Sequence, residues 1–529
     1  MTPSDSPYSP ATPPPSAERL LLTSALVGGG LTLAAHSLET QRRARTQAAV
    51  RAAAVKVAIV GCGEQGNVIL DILLKIQDTT DATESAHIAA VCDVRPLARE
   101  TATRHIEQHT GIAPHAYADF SELLEKEKGL DAVFIATPDF WHEQHVVAAL
   151  EAGLHVYCEP MMSRTLDGAR HILATAAKTG LLLQIGYQRR SNPNYRYALN
   201  VLHKGYNVFG RIVDINTFWH TPVSDDKQLT RKETAATKET AGWLKLAGFN
   251  NAHEYCNWQH YKKYSNGLVA GPLAHQNDFI NWFFGKPVGV LAGGGVDYYN
   301  RDCYAGDDLR WLARENYDNL FCIFDYKVDD LVVRASLRAL TTTGSQGGNP
   351  VHIHRRLQLI PVQKGSGNTE MLKGVSSVLR LDENENFMLL YLIRPRGNEA
   401  YAARDLWRKT FGFSFDLRSG AEKLGFLIEH FEPEIDMRTA TPPPDYSTLP
   451  FTLNGKHPVQ PHIENFLRVI RHNPENDPKK RPILRCDAAT AFASEAPLYR
   501  VNEAVEKQAR LVFDAADFST VNPPNLKQK

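Results

Sequence analysis

A glycine-rich turn between an apolar strand and an amphipathic helix is the feature that most restricts the fold of this chain. Val55–Val60 has the β-branched composition of a buried parallel strand, and it leads directly into Gly61-Cys62-Gly63-Glu64-Gln65-Gly66. Apolar side chains at helical spacing follow from Val68 to Leu74. In a G-x-G-x-x-G turn the glycines permit a tight bend and let backbone N–H groups approach a pyrophosphate. The pattern therefore predicts a dinucleotide-binding turn.

An acidic residue at the end of the next strand indicates which dinucleotide binds. His87–Cys92 is an apolar strand that ends in Asp93, whose carboxylate can accept hydrogen bonds from ribose hydroxyls and disfavours a 2′-phosphate. This favours NAD. Arg95 could instead hold a phosphate, so NADP stays open as the alternative. The polar stretch 77–85 lengthens the usual spacing between the glycines and the acid.

Strands and helices continue to alternate beyond this point. The predicted strands are Leu130–Ala136, His155–Cys158 and Leu181–Ile185, and the predicted helices between them are Glu143–Ala152 and Leu166–Lys178. This order is typical of a doubly wound parallel sheet. We predict an α/β fold that opens with a Rossmann domain over residues 55–187.

Composition excludes some classes of partner. The 529 residues carry 59 basic and 59 acidic side chains, so no overall charge would draw the chain to nucleic acid. The 7 cysteines are scattered, without the cysteine or histidine spacing of a metal site. We predict no metal, no disulfide framework and no nucleic-acid partner.

Residues 1–54 precede the predicted fold and contain the only candidate membrane segment in the sequence. Residues 1–15 are rich in proline and serine, which predicts disorder. Leu20–His36 is largely apolar and is followed by basic residues at 42–45. Its apolar part would span roughly 24 Å as a helix, short of a ~30 Å bilayer core. A retained membrane anchor, a cleaved export signal to the periplasm and a helix packed on the protein all stay open, as does the side of the membrane.

Several segments resemble the Gfo/Idh/MocA family of glucose-fructose oxidoreductases and inositol dehydrogenases. They are Thr137–His142, Gly153–Glu159, Gly186–Arg190, Asn257–Gly267, His275–Phe283, Gly295–Tyr299 and Pro461–Phe466. The resemblance covers most of residues 55–515. It implies a second α/β domain over residues 188–529 with a large, mostly antiparallel open sheet, and it implies an oligomer. Arg211–Asn216, Leu320–Tyr326 and Leu331–Ser336 are predicted strands of that sheet, and 300–317, 344–350 and 396–450 are predicted loops or insertions.

Two residues depart from the catalytic pattern of the family. Where the family has a lysine that bonds the reacting hydroxyl, this sequence has Pro160, which has neither a titratable group nor a backbone N–H. Where the family has the aspartate of Asp-x-Gly-x-His, it has Gly271. His275 is retained as the candidate general base, or as a hydrogen-bonded histidine of the cleft wall.

The resemblance implies further site residues. Those expected to bind the cofactor, besides the glycine turn and Asp93, are Thr137, Pro138, His142 and Glu159. His142 is interpreted as a helix cap or as a neighbour of the nicotinamide. Those expected to bind substrate are Tyr187, Arg190, Trp258, Tyr264 and Asp278. The alternatives are that Arg190 forms an internal ion pair and that the aromatic side chains pack in the core.

Two functions follow from this sequence. The first is an NAD(P)-dependent oxidoreductase that acts on a sugar or polyol, with activity weakened by the two replacements, each of which typically costs about a hundredfold or more in rate. The second is an inactive relative that serves as an accessory subunit of a membrane-associated complex, with a bound NAD, if any, contributing only to stability.

Overall fold

The fold is known from a computed structural model that describes residues 54–77, 85–204, 211–221, 227, 229–299, 314–328, 330–341, 367–374, 377–382, 387–393, 423–427, 456–472 and 483–520. The predicted N-terminal segment lies outside these residues, as do most of stretch 77–85 and most of the predicted loops at 300–317, 344–350 and 396–450. Within the described ranges no helix is both long enough and apolar enough to cross a bilayer.

The first sheet contains six parallel strands in the described part of the chain. They are β1 (Val55–Val60), β2 (Ala86–Cys92), β3 (His115–Tyr117), β4 (Ala132–Ile135), β5 (His155–Cys158) and β6 (Leu183–Ile185). Their order is β3-β2-β1-β4-β5-β6, so β2 and β3 are added on one side of β1, and β4 to β6 are added on the other side. The carboxyl ends of these two strands flank the crevice where such sheets bind dinucleotides. The predicted doubly wound parallel sheet is confirmed.

Helices cover both faces of this sheet. They are α1 (Glu64–Gln77), α2 (Pro96–Thr110), α3 (Phe120–Lys126), α4 (His142–Glu151) and α5 (Leu166–Thr179). The apolar side of α1 buries Ile69, Leu70 and Leu73 against the sheet. The α5 helix begins after the cap residue Thr165, whose hydroxyl accepts from the Gly168 N–H. Helices α2 and α3 are additions to the elements predicted from the sequence.

The second sheet contains nine strands among the described residues. They are β7 (Ile212–His220), β8 (Gly289–Gly295), β9 (Asn319–Val328), β10 (Leu331–Leu340), β11 (Gly367–Gly374), β12 (Ser377–Asp382), β13 (Phe387–Ile393), β14 (Lys423–Leu427) and β15 (Leu511–Val512). Their order is β14-β13-β12-β11-β7-β10-β9-β8-β15. Every pairing is antiparallel except that of β7 with β10. The predicted large, mostly antiparallel sheet is confirmed.

The remaining α-helices follow β6 in the chain and precede, interrupt or flank the strands of the second sheet. They are α6 (Pro193–Tyr197), α7 (Arg231–Ala235), α8 (Thr237–Leu246), α9 (Ala252–Cys256), α10 (Pro272–Phe284), α11 (Gln460–Arg471), α12 (Ala488–Glu495) and α13 (Val501–Lys507). Near the C-terminus the chain returns to the first sheet. The Gln184 side chain donates to the carbonyl of His462 at 2.7 Å, and the Ile185 N–H donates to the carbonyl of Cys486 at 2.9 Å.

Helix α11 completes the core of the first sheet. Ile463 and Phe466 are fully buried in one apolar cluster with Val57, Ile59 and Phe134. The ring of Phe466 meets that of Phe134 edge to face, with centroids 5.6 Å apart. One face of the nucleotide-binding sheet is therefore covered by residues from near the C-terminus.

Candidate functional site

The glycine turn lies between β1 and α1 with each glycine in a different environment. Gly61 has a φ of 89°, and a Cβ there would lie 2.7 Å from the backbone carbonyl of Ala136. A Cβ on Gly66 would lie 1.9 Å from the carbonyl oxygen of Gly61. A Cβ on Gly63 would meet no atom within 4 Å. The outer glycines are thus required by the fold, whereas the middle one leaves backbone open to a ligand, as a pyrophosphate requires.

Asp93 lies beside this turn at the carboxyl end of β2. One carboxylate oxygen accepts from the Cys62 N–H at 2.7 Å and the other accepts from the Arg95 N–H at 2.8 Å. Burial raises the pKa of Asp93, although both N–H donors oppose this shift. The carboxylate is therefore fixed next to the glycine turn, where a ribose would lie in a dinucleotide-binding sheet.

Arg95 is engaged within the protein. Its Nε and Nη2 atoms donate to the two carboxylate oxygens of Glu233 at 2.5 and 2.8 Å. Glu233 belongs to α7, and hydrogen bonding to Arg95 is the main cause that lowers its pKa to about 2. The guanidinium considered as a phosphate ligand thus forms a two-point ion pair with a residue that the sequence analysis did not single out.

Other residues of the turn contact the second domain and the end of β5. The exposed Glu64 carboxylate accepts from the Lys227 ammonium group at 2.6 Å. Gln65 hydrogen-bonds Glu159, which follows β5. Burial raises the pKa of Glu159 to about 7. A Cβ on Gly186 would lie 3.1 Å from this carboxylate, so the absence of a side chain there makes room for it.

Thr137 and Pro138 lie in the loop after β4, and His142 follows this loop. His142 is the first residue of α4 and is buried, so its ring does not cap the helix. Its ring nitrogens lie 2.7 and 2.8 Å from the carbonyl oxygens of Met161 and Thr137. Burial lowers the pKa of this histidine. The buried ring therefore links the loop after β4 to the loop after β5 through hydrogen bonds. The Thr137 hydroxyl makes a separate contact, 3.1 Å from Nδ1 of His145.

The loop that carries Pro160 rests on a buried acid. Glu495, the last residue of α12, has no exposed surface, and its carboxylate oxygens accept from the Met162 N–H at 3.0 and 2.9 Å. The hydroxyls of Tyr187 and Tyr499 donate to the same carboxylate at 2.9 and 3.1 Å. These donors favour the ionised form, but burial outweighs them and raises the pKa of Glu495 to about 8.

His275 lies in the first turns of α10, four residues after Gly271. The ring is partly exposed and packs edge-on against Tyr187, with centroids 5.5 Å apart. It also lies tilted against Trp219, with centroids 5.7 Å apart. Gly271 precedes the helix and makes no side-chain cap. Asp278 lies one turn further along the same helix, but its carboxylate is bound elsewhere. His275 is therefore the candidate base of the cleft, in an aromatic setting.

Arg190 and Asp278, both expected to bind substrate, bind each other instead. Nε of Arg190 lies 2.9 Å from both carboxylate oxygens, and Nη2 lies 2.7 Å from one of them. The Ser494 hydroxyl also donates to Asp278 at 2.7 Å. Both charged side chains are at least nine-tenths buried. The internal ion pair, which the sequence left as the alternative for Arg190, is the arrangement found.

The aromatic residues expected to bind substrate also pack internally. Tyr187 is buried and donates to Glu495. Tyr264 is buried among Phe140 and Phe249, and its hydroxyl donates to Glu254 at 2.5 Å. Trp258 is half-buried against the apolar cluster that contains Phe249 and Tyr264. Tyr264 therefore has the core packing that the sequence left as the alternative, and the Lys263 ammonium group lies over its ring, 4.7 Å from the centroid.

Sequence reasoning overlooked the residues that reach the site from distant parts of the chain. Glu233 and Lys227 approach the nucleotide turn, and Glu495 supports the loop after β5. A signal existed for Glu495, because it is the only charged residue of α12, whose other residues are mostly alanine. No comparable signal marks Glu233. Among the described residues, no group of three or more histidines, cysteines or carboxylates is arranged to hold a metal ion.

Comparison with known proteins agrees with this geometry. Residues 55–187 match the family described as an oxidoreductase family with an NAD-binding Rossmann fold. A glycosyl hydrolase family 109 protein of Stenotrophomonas maltophilia is 30% identical over 199 residues, which is 36% of this chain and 40% of that protein. The inositol 2-dehydrogenase/D-chiro-inositol 3-dehydrogenase of Shouchella clausii is 34% identical over 143 residues, which is 27% of this chain and 38% of the enzyme.

Similar solved structures extend beyond the nucleotide-binding part. A levoglucosan dehydrogenase in complex with NADH has a TM-score of 0.57 at 13% identity, covering 87% of this chain and 98% of that one. The WlbA dehydrogenase of Bordetella pertussis, in complex with NADH and UDP-GlcNAcA, has a TM-score of 0.52 at 14% identity, covering 87% and 99%. These structures share the two-sheet fold, whereas the curated relatives named above are matched over less than half of their length.

Proposed function

Residues 55–187 belong to the Gfo/Idh/MocA oxidoreductase family, and from this premise we propose that the whole chain is an NAD(H)-dependent oxidoreductase acting on a sugar or polyol. The observation that carries the proposal is the glycine turn, where Gly63 leaves backbone open and Asp93 is fixed alongside. The outer glycines touch backbone and keep the turn in the shape that a pyrophosphate needs.

The residues at the turn fit a bound dinucleotide. The start of α1 offers backbone N–H groups to a pyrophosphate, and the Asp93 carboxylate can accept from ribose hydroxyls. Gln65, near the start of α1, hydrogen-bonds Glu159, which follows β5 and is expected to bind the cofactor. Bound NAD⁺ would supply the hydride acceptor for oxidation of a substrate alcohol.

His275 is the residue proposed to handle the proton. A nitrogen of its imidazole would accept the substrate hydroxyl proton as the carbon–hydrogen bond is broken. The Tyr187 and Trp219 rings beside it fix its position, and Glu495 fixes Tyr187 in turn through a hydrogen bond of 2.9 Å. Glu495 and Tyr187 are positioning residues in this scheme.

The relatives guide the choice of substrates. Inositol dehydrogenase activity and levoglucosan binding are properties of the similar proteins, and both involve compounds with several hydroxyl groups. The direct test is to titrate the purified full chain with NADH by fluorescence, and then to follow NADH formation with a panel of sugars and cyclitols. We expect micromolar NADH binding and turnover of at least one polyol. Absence of NADH binding would refute the proposal.

An accessory role without turnover is the second candidate. It is favoured by Pro160 and Gly271, which stand in place of two catalytic groups of the family. Under this proposal the chain binds NAD(H) without oxidising any polyol, and residues 20–36 tether it to a membrane complex. Membrane fractionation of the native source, followed by identification of copurifying proteins, tests the tether. Oligomer formation stays a prediction that light scattering of the purified chain would check.

A further inference from the structure

We propose that Glu233 is a specificity-determining residue that makes the nucleotide site selective for NAD(H) over NADP(H), by holding the guanidinium of Arg95. The inference rests on the proposed function, because it requires that the glycine turn bind a nicotinamide dinucleotide. It assigns a role in nucleotide selection to the second domain.

Arg95 occupies the position from which an arginine would reach a 2′-phosphate. It lies two residues after Asp93, at the carboxyl end of β2 and immediately before α2. This is the edge of the sheet where the adenosine ribose lies in dinucleotide-binding folds. An unoccupied guanidinium there would present planar N–H donors to a phosphate. Sequence alone therefore leaves NADP open.

The ion pair uses the donors that a phosphate would need. Nε and Nη2, one of the two edges of the guanidinium that form two-point contacts, lie 2.5 and 2.8 Å from the two oxygens of Glu233. The side chains of Arg95 and Glu233 are 24% and 9% exposed. This pair is thus better shielded than a surface ion pair, and a phosphate would have to displace a carboxylate already in place.

Glu233 is held in position independently of Arg95. It is the third residue of α7 and forms a capping box with Thr230, whose N–H and hydroxyl donate to the Glu233 carboxylate at 3.1 and 2.8 Å. The Thr240 hydroxyl donates to the Glu233 carbonyl at 2.6 Å. Because the carboxylate is anchored at its own helix, it can hold Arg95 before any nucleotide arrives.

The negative charges near the expected ribose position also favour NAD(H) over NADP(H). A 2′-phosphate would enter between the carboxylates of Asp93 and Glu233, whereas a 2′-hydroxyl could donate to Asp93. Arg99 is the other arginine nearby, and its Nη1 donates to the Asp93 carbonyl oxygen at 2.6 Å. An experiment must therefore separate the contribution of Arg95 from that of Arg99.

The test measures dissociation constants of NADH and NADPH by fluorescence on the full-length chain. The variants are Glu233→Gln, which keeps the shape of the cap, and Glu233→Gln combined with Arg95→Ala. The matched control is Glu503→Gln on α13, which removes the carboxylate of another two-point pair with an arginine, Arg500. Thermal unfolding verifies that each variant is folded. If Glu233→Gln does not fold, the same affinities are measured on Glu233→Asp, which moves the carboxylate away from Arg95 by one methylene.

We expect the unaltered chain to bind NADH more tightly than NADPH. Glu233→Gln should bind NADPH about ten- to a hundredfold more tightly than the unaltered chain, with little change for NADH. The double variant should lose this gain, Glu503→Gln should not show it, and Glu233→Asp should show a smaller gain. Tight NADPH binding by the unaltered chain, no gain in either Glu233 variant, or a gain that survives Arg95→Ala would overturn the inference while leaving the proposed function intact. Failure to bind either nucleotide would overturn both.

Discussion

The carboxylate of Glu495 accepts a hydrogen bond from the backbone N–H of Met162, which lies 333 residues earlier in the chain. The contact joins the end of α12 to the loop that carries Pro160. The Tyr187 hydroxyl donates to the same carboxylate, and the ring of Tyr187 packs against His275. The position of the candidate base therefore depends on an acid contributed from near the C-terminus.

Glu495 should make stability fall as pH rises. Its folded pKa is about 8 against an ordinary value of 4.5, so the unfolded chain releases this proton first. Stability is then lost between about pH 4.5 and 8, at up to about 1.4 kcal/mol per pH unit. Glu495→Gln should remove this part of the slope. The measurement is urea unfolding of both proteins at pH 5 and pH 8, with Glu506→Gln as an exposed control. Equal slopes in all three would contradict the prediction.

Replacement of the glycines should separate folding from nucleotide binding. Gly61→Ala places a Cβ against the Ala136 carbonyl at a φ of 89°, so it should destabilise the fold by about 2 kcal/mol or more. Gly63→Ala meets no protein atom, and its stability should stay within about 0.5 kcal/mol of the unaltered chain. It should nevertheless weaken NADH binding about tenfold or more, because the new methyl group occupies the open side of the turn. Denaturant titration and NADH titration give the two readouts, and unchanged NADH affinity in Gly63→Ala would count against the site.

Separation of Arg190 from Asp278 should be costly. Asp278→Asn leaves a buried guanidinium without its counter-charge, which typically costs about 3–5 kcal/mol. Arg190→Met should be similarly destabilising, and the combination of Arg190→Met with Asp278→Asn should cost clearly less than the sum of the two single changes. Urea unfolding of the four proteins gives the coupling energy. Glu122→Gln, which breaks an exposed pair with Lys126, should have little effect. Additive single changes would show that the pair is not coupled.

His275→Asn should impair turnover but not nucleotide binding. Loss of a general base typically lowers kcat by about a hundredfold to ten-thousandfold. The NADH dissociation constant should stay unchanged, because the turn and Asp93 lie on other elements. Stopped-flow measurement of NADH formation with an active polyol, together with NADH titration, checks both parts. Tyr264→Phe serves as the comparison, since Tyr264 is buried in an aromatic cluster and should leave the KM for the polyol unaltered. Full activity in His275→Asn would remove it from the mechanism.

Local patterns were sufficient to predict the nucleotide-binding sheet. The strands β1 and β5 begin and end at the predicted residues, and α5 begins at the predicted Leu166. The glycine turn was also predictable, because the spacing of its three glycines between a strand and a helix is enough to specify the bend. The position of Asp93 beside this turn was predictable as well, because Asp93 follows β2, the parallel neighbour of β1.

Contacts between distant residues could not be predicted in this way. From the sequence, Arg95 is suited to bind a phosphate, but in the structure it pairs with Glu233, which lies 138 residues away in the chain. Arg190, Tyr187 and Tyr264 have side chains suited equally to substrate binding and to internal hydrogen bonds, and only the packing of α10, α12 and the aromatic cluster decides between the two. The role of His142 could not be predicted for the same reason, because its ring links the loops after β4 and β5 through the carbonyls of Thr137 and Met161.

The packing of α11 against the first sheet determines which residues an isolated nucleotide-binding fragment must contain. Ile463 and Phe466 shield β1 and β4, and each would leave apolar surface worth about 2 kcal/mol uncovered if it were removed. A piece that stops at residue 187 would therefore be a half-covered sheet prone to self-association. A workable minimal fragment has to be discontinuous, with residues 456–472 rejoined to 55–187 by a designed linker.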